Sequence, residues 1–274
     1  NSHNWSILVY DKAGNSNQSA TRTFNLDSTP PTITVHSPSN TTFVQDNLDL
    51  TVTADEGVST WIYSFNSGAT NNTFTPNTTI SNQEGSTTLT VYANDSANNI
   101  AIVNVAFTGH LCGASLTSDT NITGSLTGNK TCFSIGANHI TVNGQGNTIT
   151  KIGLSGTKYG INVSNDNNIT IKNVKIYNFS NQIYALSMTN STLQNNTFDS
   201  STISSGEAIY LDSSDFNRII SNNISTFGST ASGIYLETSD DGVIENNTVR
   251  TTGSVAYGVD ITTSLRNNFT SNNV

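Results

Sequence analysis

From Gly160 to Val274, apolar and polar side chains alternate in short runs, and the runs recur. Ile209-Tyr210-Leu211-Asp212-Ser213-Ser214-Asp215 returns 25 residues later as Ile234-Tyr235-Leu236-Glu237-Thr238-Ser239-Asp240, and Val259-Asp260-Ile261 opens a third copy. The same offset carries Ile219 to Ile244 and Phe269, and Asn222 to Asn247 and Asn272. Alternation of this kind is strand periodicity, in which successive side chains take opposite faces. Gly, Asn, Ser and Asp bound each run, and these residues tolerate the conformations that sharp corners need. A unit of this length is too short for a strand, a crossover helix and a return, yet it suits two or three short strands wound into one coil. A fixed period then means stacked coils. Stacking predicts two inward columns, Ile161, Tyr184, Ile209, Ile234 and Val259 beside Val163, Leu186, Leu211, Leu236 and Ile261. It also predicts a corner ladder of Asn222, Asn247 and Asn272, with Asn196 slightly out of register. Each buried apolar side chain contributes about 1.5–3 kcal/mol, which makes the columns the main source of stability.

Upstream the alternating runs are longer. Leu48, Leu50 and Val52, then Trp61, Tyr63 and Phe65, then Leu89, Val91 and Ala93, then Ala101, Val103, Val105 and Phe107 supply the inner faces of two packed antiparallel sheets. A second repeat sets Asp11-Lys12-Ala13-Gly14-Asn15 against Asp95-Ser96-Ala97-Asn98-Asn99, 84 residues apart. Each copy is a tight turn between two strands, a hairpin signal. The reading is therefore the carboxy-terminal part of one module over 1–28, a complete module over 29–108 and the coil over 109–274. Asp27-Ser28-Thr29-Pro30-Pro31 reads as a short stiff linker. With no initiator Met and an apolar ladder residue at Val274, the chain is expected to be a piece of a longer polypeptide.

Thr131-Cys132-Phe133-Ser134-Ile135-Gly136-Ala137-Asn138-His139-Ile140-Thr141-Val142-Asn143-Gly144 leads through Tyr159-Gly160-Ile161 and Asn168-Ile169-Thr170-Ile171 into the Asn-Asn coils. This stretch, over roughly 109–274, resembles the right-handed parallel β-helix proteins of the pectin-lyase-like class, in particular the secreted NosD-like repeats. The turn at Asp11, followed by Phe24-Asn25-Leu26-Asp27-Ser28-Thr29-Pro30-Pro31-Thr32-Ile33, resembles the immunoglobulin-like modules strung along bacterial and archaeal surface proteins. The two resemblances imply an all-β chain, an immunoglobulin-like β-sandwich followed by a right-handed parallel β-helix. They do not fix an activity, since the β-helix class holds lyases, hydrolases, epimerases, adhesins and surface-layer proteins.

Charge narrows the partners. The chain has 19 acidic and 10 basic residues and a formal charge of -9. A weakly acidic surface without basic clusters argues against nucleic acid and anionic membranes, and no apolar run is long enough for direct membrane insertion. Cys112 and Cys132 are the only cysteines. In an Asn- and Thr-rich chain they favour a disulfide worth about 3 kcal/mol in the chain-entropy model, with two free core thiols as the alternative. Asn-x-Ser/Thr sequons at Asn40, Asn77, Asn121, Asn168 and Asn223 are candidate glycosylation sites, whereas Asn195 and Asn246 precede inward corners and are expected to be out of reach.

Candidate chemistry gathers on one outer face. Tyr210 and Tyr235 would stack, followed by Asp260, with Asp212, Glu237 and Thr262 beside them. An aromatic column next to paired carboxylates could hold a sugar ring, and if the chain is an enzyme then Asp212, Glu237 and Asp260 are the acid and nucleophile candidates. Tyr257-Gly258-Val259-Asp260 is similar to the Tyr-Gly-x-Asp motif of mannuronan epimerases, but Ile261-Thr262 stand where that motif continues Pro-His. That departure removes the usual proton-transfer partner. No metal constellation or cofactor is expected; calcium is left open only at Asp240-Asp241-Gly242 and Asn165-Asp166-Asn167-Asn168, which lack full ligand spacing and read as turns. The expectation is an extracellular cell-surface structural protein, a surface-layer, adhesin or filament subunit whose partners are itself, other surface proteins or carbohydrate. The alternative is a secreted polysaccharide lyase or hydrolase.

Overall fold

The computed structural model describes residues 2–153, 156–200 and 206–274, and every regular element in it is a strand. The chain divides into two compact units. One holds Asn1–Thr41, Leu48–Ile80 and Ser86–Phe107; the other holds Thr42–Asn47, Ser81–Gly85 and Thr108–Val274.

The first unit has two antiparallel layers. Asn47–Ala54 lies between Ile33–Ser37 and Thr78–Ser81, while Gly85–Asp95 lies between Val58–Ser64 and Ile100–His110. Inward alternation puts Leu48, Leu50, Val52, Trp61, Leu89, Val91 and Ala93 in the core, as their spacing predicts. The hairpin turn repeats atom for atom. Asp11 Oδ1 accepts from the Ala13 and Asn15 backbone N–H groups at 2.9 Å each, and Asp95 Oδ1 accepts from Ala97 and Asn99 at 2.8 and 2.9 Å. Asn15 and Asn99 each donate a side-chain N–H to Oδ2 of the same Asp at 2.8 Å. These bonds, the side-chain amide first, hold both carboxyls below their ordinary value. Gly14 and Asn98 take the same left-handed turn position, at φ 89° and 68°.

The second unit is a coil of three parallel sheets. The first stacks Ala114–Leu116, Phe133–Ile135, Tyr159–Ser164, Asn181–Leu186, Ile209–Asp212, Ile234–Glu237 and Val259–Thr262, each paired with the next. The second runs from Thr120–Asn121 to Asn268–Thr270 and the third from Leu126–Gly128 to Thr248–Thr251. Leu211 and Leu236 are Cα partners on adjacent strands and both are buried, so the proposed register holds there. It slips by one residue lower down. The column is Ile161, Ile183, Ile209, Ile234 and Val259, with Val163, Ala185, Leu211, Leu236 and Ile261 beside it. Tyr184 and Leu186 therefore face outward, against Tyr210 and Asp212, and not inward as the spacing suggested. One extra residue between these coils, absorbed before Ile209, makes the offset there 26 and produces the error.

The corners carry the polar interior. Asn222 Oδ1 accepts from the Asn196 backbone N–H and side-chain N–H at 3.0 Å each, Asn247 Oδ1 does the same for Asn222, and Asn272 Oδ1 for Asn247. Asn196 is thus in register with the ladder, because the extra residue lies outside this corner. Ser239 and Ser264 hydroxyls repeat the device at another corner for the Ser214 and Ser239 N–H groups. The residue before each of these positions is left-handed, among them Asn195, Ser221, Asn246 and Ser271. That conformation turns one Asn out to solvent and the next one in.

The boundary between units differs from the sequence expectation at two places. Thr42–Asn47 and Ser81–Gly85, expected in the sandwich, belong to the coil and cap its first rung. Thr42, Phe43 and Val44 pair in parallel with Thr108, Gly109 and His110, and Val44 is buried in the coil's apolar core. Asp46 Oδ2 accepts from the Thr127 N–H at 2.8 Å, and Glu84 Oε2 from the Leu111 N–H at 2.6 Å. Beside this cap, Cys112 and Cys132 form the expected disulfide.

Candidate functional site

The first sheet of the coil places four tyrosines on one outer face. Tyr184 and Tyr210 stack at 5.1 Å between ring centroids and 4° between planes; Tyr159 stacks on Tyr184 at 4.3 Å and 15°. Tyr235 continues the column at 5.2 Å and 32° from Tyr210. For Tyr184, Tyr210 and Tyr235, which are successive rung partners, the cause is the rung spacing, since parallel strands about 4.8 Å apart set like side chains at stacking distance. Tyr159 pairs with Asn181, and its ring reaches Tyr184 from another register position. Tyr159 and Tyr184 were not read as part of this face. The 26-residue step from Tyr184 to Tyr210 was the signal that would have found Tyr184.

The acids sit alongside. Asp212, Glu237 and Thr262 form one column, and Asp260 follows Tyr235 in the tyrosine column. The Tyr210 hydroxyl donates to Glu237 Oε2 at 2.5 Å, and the Ser213 hydroxyl donates to Asp212 Oδ1 at 2.8 Å. The Tyr235 hydroxyl donates to Thr262 Oγ1 at 3.3 Å. Burial, then the bond to Glu237, then the charges of Glu237 and Asp212 push the Tyr210 phenol well above its ordinary value.

This arrangement constrains the chemistry. Both faces of the Tyr210 ring are covered by Tyr184 and Tyr235, so a sugar cannot stack on it and can reach only its edge. Tyr235 has an aromatic neighbour on one side and Asp260 on the other. A tyrosine that abstracts a proton needs a lowered pKa, and Tyr210 has a raised one. The larger described cavities lie elsewhere. One of about 780 Å³ is lined by Trp61, Phe74 and Pro76 in the two-layer unit, and one of about 420 Å³ by Asn143, Asn173, Lys175 and Asn195 at a coil corner.

The two candidate calcium loops have different surroundings. Arg266 Nε and a terminal guanidinium nitrogen donate to the two Asp241 oxygens at 2.7 Å each, and the same terminal nitrogen reaches Asp240 Oδ2 at 3.3 Å. The single guanidinium charge of the next rung is thus shared between two carboxylates, mainly on Asp241. At the other loop, burial raises the Asp166 carboxyl above its ordinary value, and its Oδ2 is buried without a hydrogen-bond partner among the described residues. The sequence reading foresaw no metal constellation, yet the fold brings carboxylate oxygens of Asp27, Glu56 and Asp95 within 4.8 Å of one another. Glu56 is raised first by desolvation and then by the charges of Asp27, Asp95 and Asp55. Wide separation in the chain hid this cluster from a reading based on spacing.

The five sequon residues Asn40, Asn77, Asn121, Asn168 and Asn223 are exposed. So are Asn195 and Asn246, contrary to expectation, because they are the left-handed corner residues that point outward. No helix of the described residues is long and apolar enough to cross a membrane.

Three parallel sheets coiled around one apolar core, with Asn and Ser ladders at the corners, define a β-helix. The family described as right handed beta helix region matches residues 138–274, half of the chain, and the chain belongs to that family. No curated protein and no solved structure matches it.

Proposed function

We propose that the chain is part of an extracellular cell-surface structural protein, in which an immunoglobulin-like spacer precedes a β-helix that presents a long polar surface to other surface proteins or to carbohydrate. The observation that carries this reading is the internal satisfaction of the candidate face. Tyr210 is covered on both ring faces and bonded to Glu237, and Asp212 is bonded to Ser213, so these candidate groups engage one another. The Cys112–Cys132 disulfide and the exposed sequons agree with an oxidising, glycosylating compartment. The spacer assignment is supported by two antiparallel layers, with Asn47–Ala54 central in one and Gly85–Asp95 in the other, the arrangement of immunoglobulin-like sandwiches. Carbohydrate would meet this face through Tyr235, Asp260 and hydroxyl edges.

Electron microscopy of the purified chain tests the structural role, with ordered polymers or sheets as the expected result. Release of reducing ends or unsaturated products from uronate polymers, abolished by Glu237→Gln, would instead establish the lyase or hydrolase reading.

A further inference from the structure

Every described residue from Ser2 to Pro30 is exposed, including Trp5, Ile7, Leu8, Val9, Phe24 and Leu26. This is not a disordered-looking stretch. Ser2–Trp5 pairs with Arg22–Asn25, Leu8–Tyr10 pairs with Ser16–Gln18, and the Asp11 turn reproduces the Asp95 turn bond for bond. Two-stranded hairpins are at best marginally stable in water, and a bare apolar sheet face of this size marks a contact surface.

The chain itself supplies the comparison that identifies the contact. At the 84-residue offset, Trp5, Ile7 and Val9 correspond to Leu89, Val91 and Ala93. In the later copy those three are 0 % exposed, because Gly85–Asp95 pairs with Val58–Ser64 and faces the layer that holds Leu48, Leu50 and Val52. In the earlier copy Trp5, Ile7 and Val9 are 45 %, 54 % and 55 % exposed. The hairpin is the same, and among the described residues its strands pair only with each other. We infer that Ser2–Asn25 is the closing hairpin of an earlier module of this kind in the same polypeptide, and that its bare side takes up that module's alternating strands, the equivalents of Asn47–Ala54 and Val58–Ser64. The proposed contact continues, one module earlier, an interface the chain already builds.

Trp5 and Trp61 are the two tryptophans, so Trp61→Phe leaves Trp5 as the sole reporter. In that full-length variant Trp5 emits as a water-exposed indole and acrylamide quenches it freely at every protein concentration. Placing a duplicate of residues 31–84 directly before Asn1 restores the repeat register. Trp5 emission then shifts to the blue, quenching falls several-fold, and amide exchange over Leu8–Tyr10 slows. A duplicate bearing Trp5→Leu, matching Leu89, guards against an indole too large for the borrowed strands, with the Leu8–Tyr10 amides as the readout. Unprotected amides in both duplicated chains would overturn the inference. A concentration-dependent blue shift in the unduplicated chain would also overturn it, by placing a second copy on the face.

Discussion

The two units build their apolar cores in opposite ways. In the two-layer unit each core position is unlike its neighbours. Trp61 meets Phe74, and Leu89, Val91 and Ala93 close against a different sheet. In the coil each position sits between near-copies of itself, so Ile209 lies between Ile183 and Ile234. The first arrangement is closed and cooperative. The second is quasi-one-dimensional, with each rung stabilised mainly by the rung on either side.

The largest effects should come from deleting the same side chain in both cores. Leu89→Ala and Leu211→Ala each remove a buried leucine at a cost of about 2–5 kcal/mol. Hydrogen exchange should show the first raising exchange across the whole two-layer unit, and the second raising it only in the rungs of Ala185, Leu211 and Leu236. Equal spread in both would erase the distinction between the units. Next, Cys112→Ser with Cys132→Ser should cost the coil about 3 kcal/mol, read as a lower melting transition that reductant no longer changes. The transition of the two-layer unit should stay in place. Asn222→Ala leaves the Asn196 N–H and the Leu193 carbonyl without their partner and should cost about 1–3 kcal/mol in denaturant titration. Its neighbour Asn223, which is exposed, should tolerate the same change within about 0.5 kcal/mol.

The smallest effect is one of pH. Because the Tyr210 phenol is raised in the fold, its contribution is fully present below the ordinary tyrosine value of 10.0 and is lost as pH climbs beyond it. Coil stability should therefore decline above that pH. Tyr210→Phe should flatten this decline, and an unchanged alkaline slope in the variant would show that the Tyr210 to Glu237 bond has no role in it.

What was legible in the sequence follows from what the period carries. Ile209, Ile234, Ile219 and Ile244 fell into their columns because a parallel stack writes the same residue type at each rung. Tyr184 was misplaced because a single inserted residue shifts every later position to the opposite face of a strand. Asn195 and Asn246 were misjudged because exposure at a corner depends on a left-handed backbone, which no residue spacing reveals. The cluster of Asp27, Glu56 and Asp95 joins a linker, a loop and a turn, so only the tertiary fold brings it together.

Thr42–Asn47 and Ser81–Gly85 close the base of the coil with Val44, Asp46 and Glu84, although they are written well before its first rung at Ala114. The coil consequently cannot be excised by cutting the chain ahead of residue 108: such a fragment would leave Thr127 and Leu111 without their carboxylate acceptors and open the floor of the apolar interior to water. Any rearrangement of the chain meets the same constraint, because Thr42–Asn47 and Ser81–Gly85 must travel with the coil.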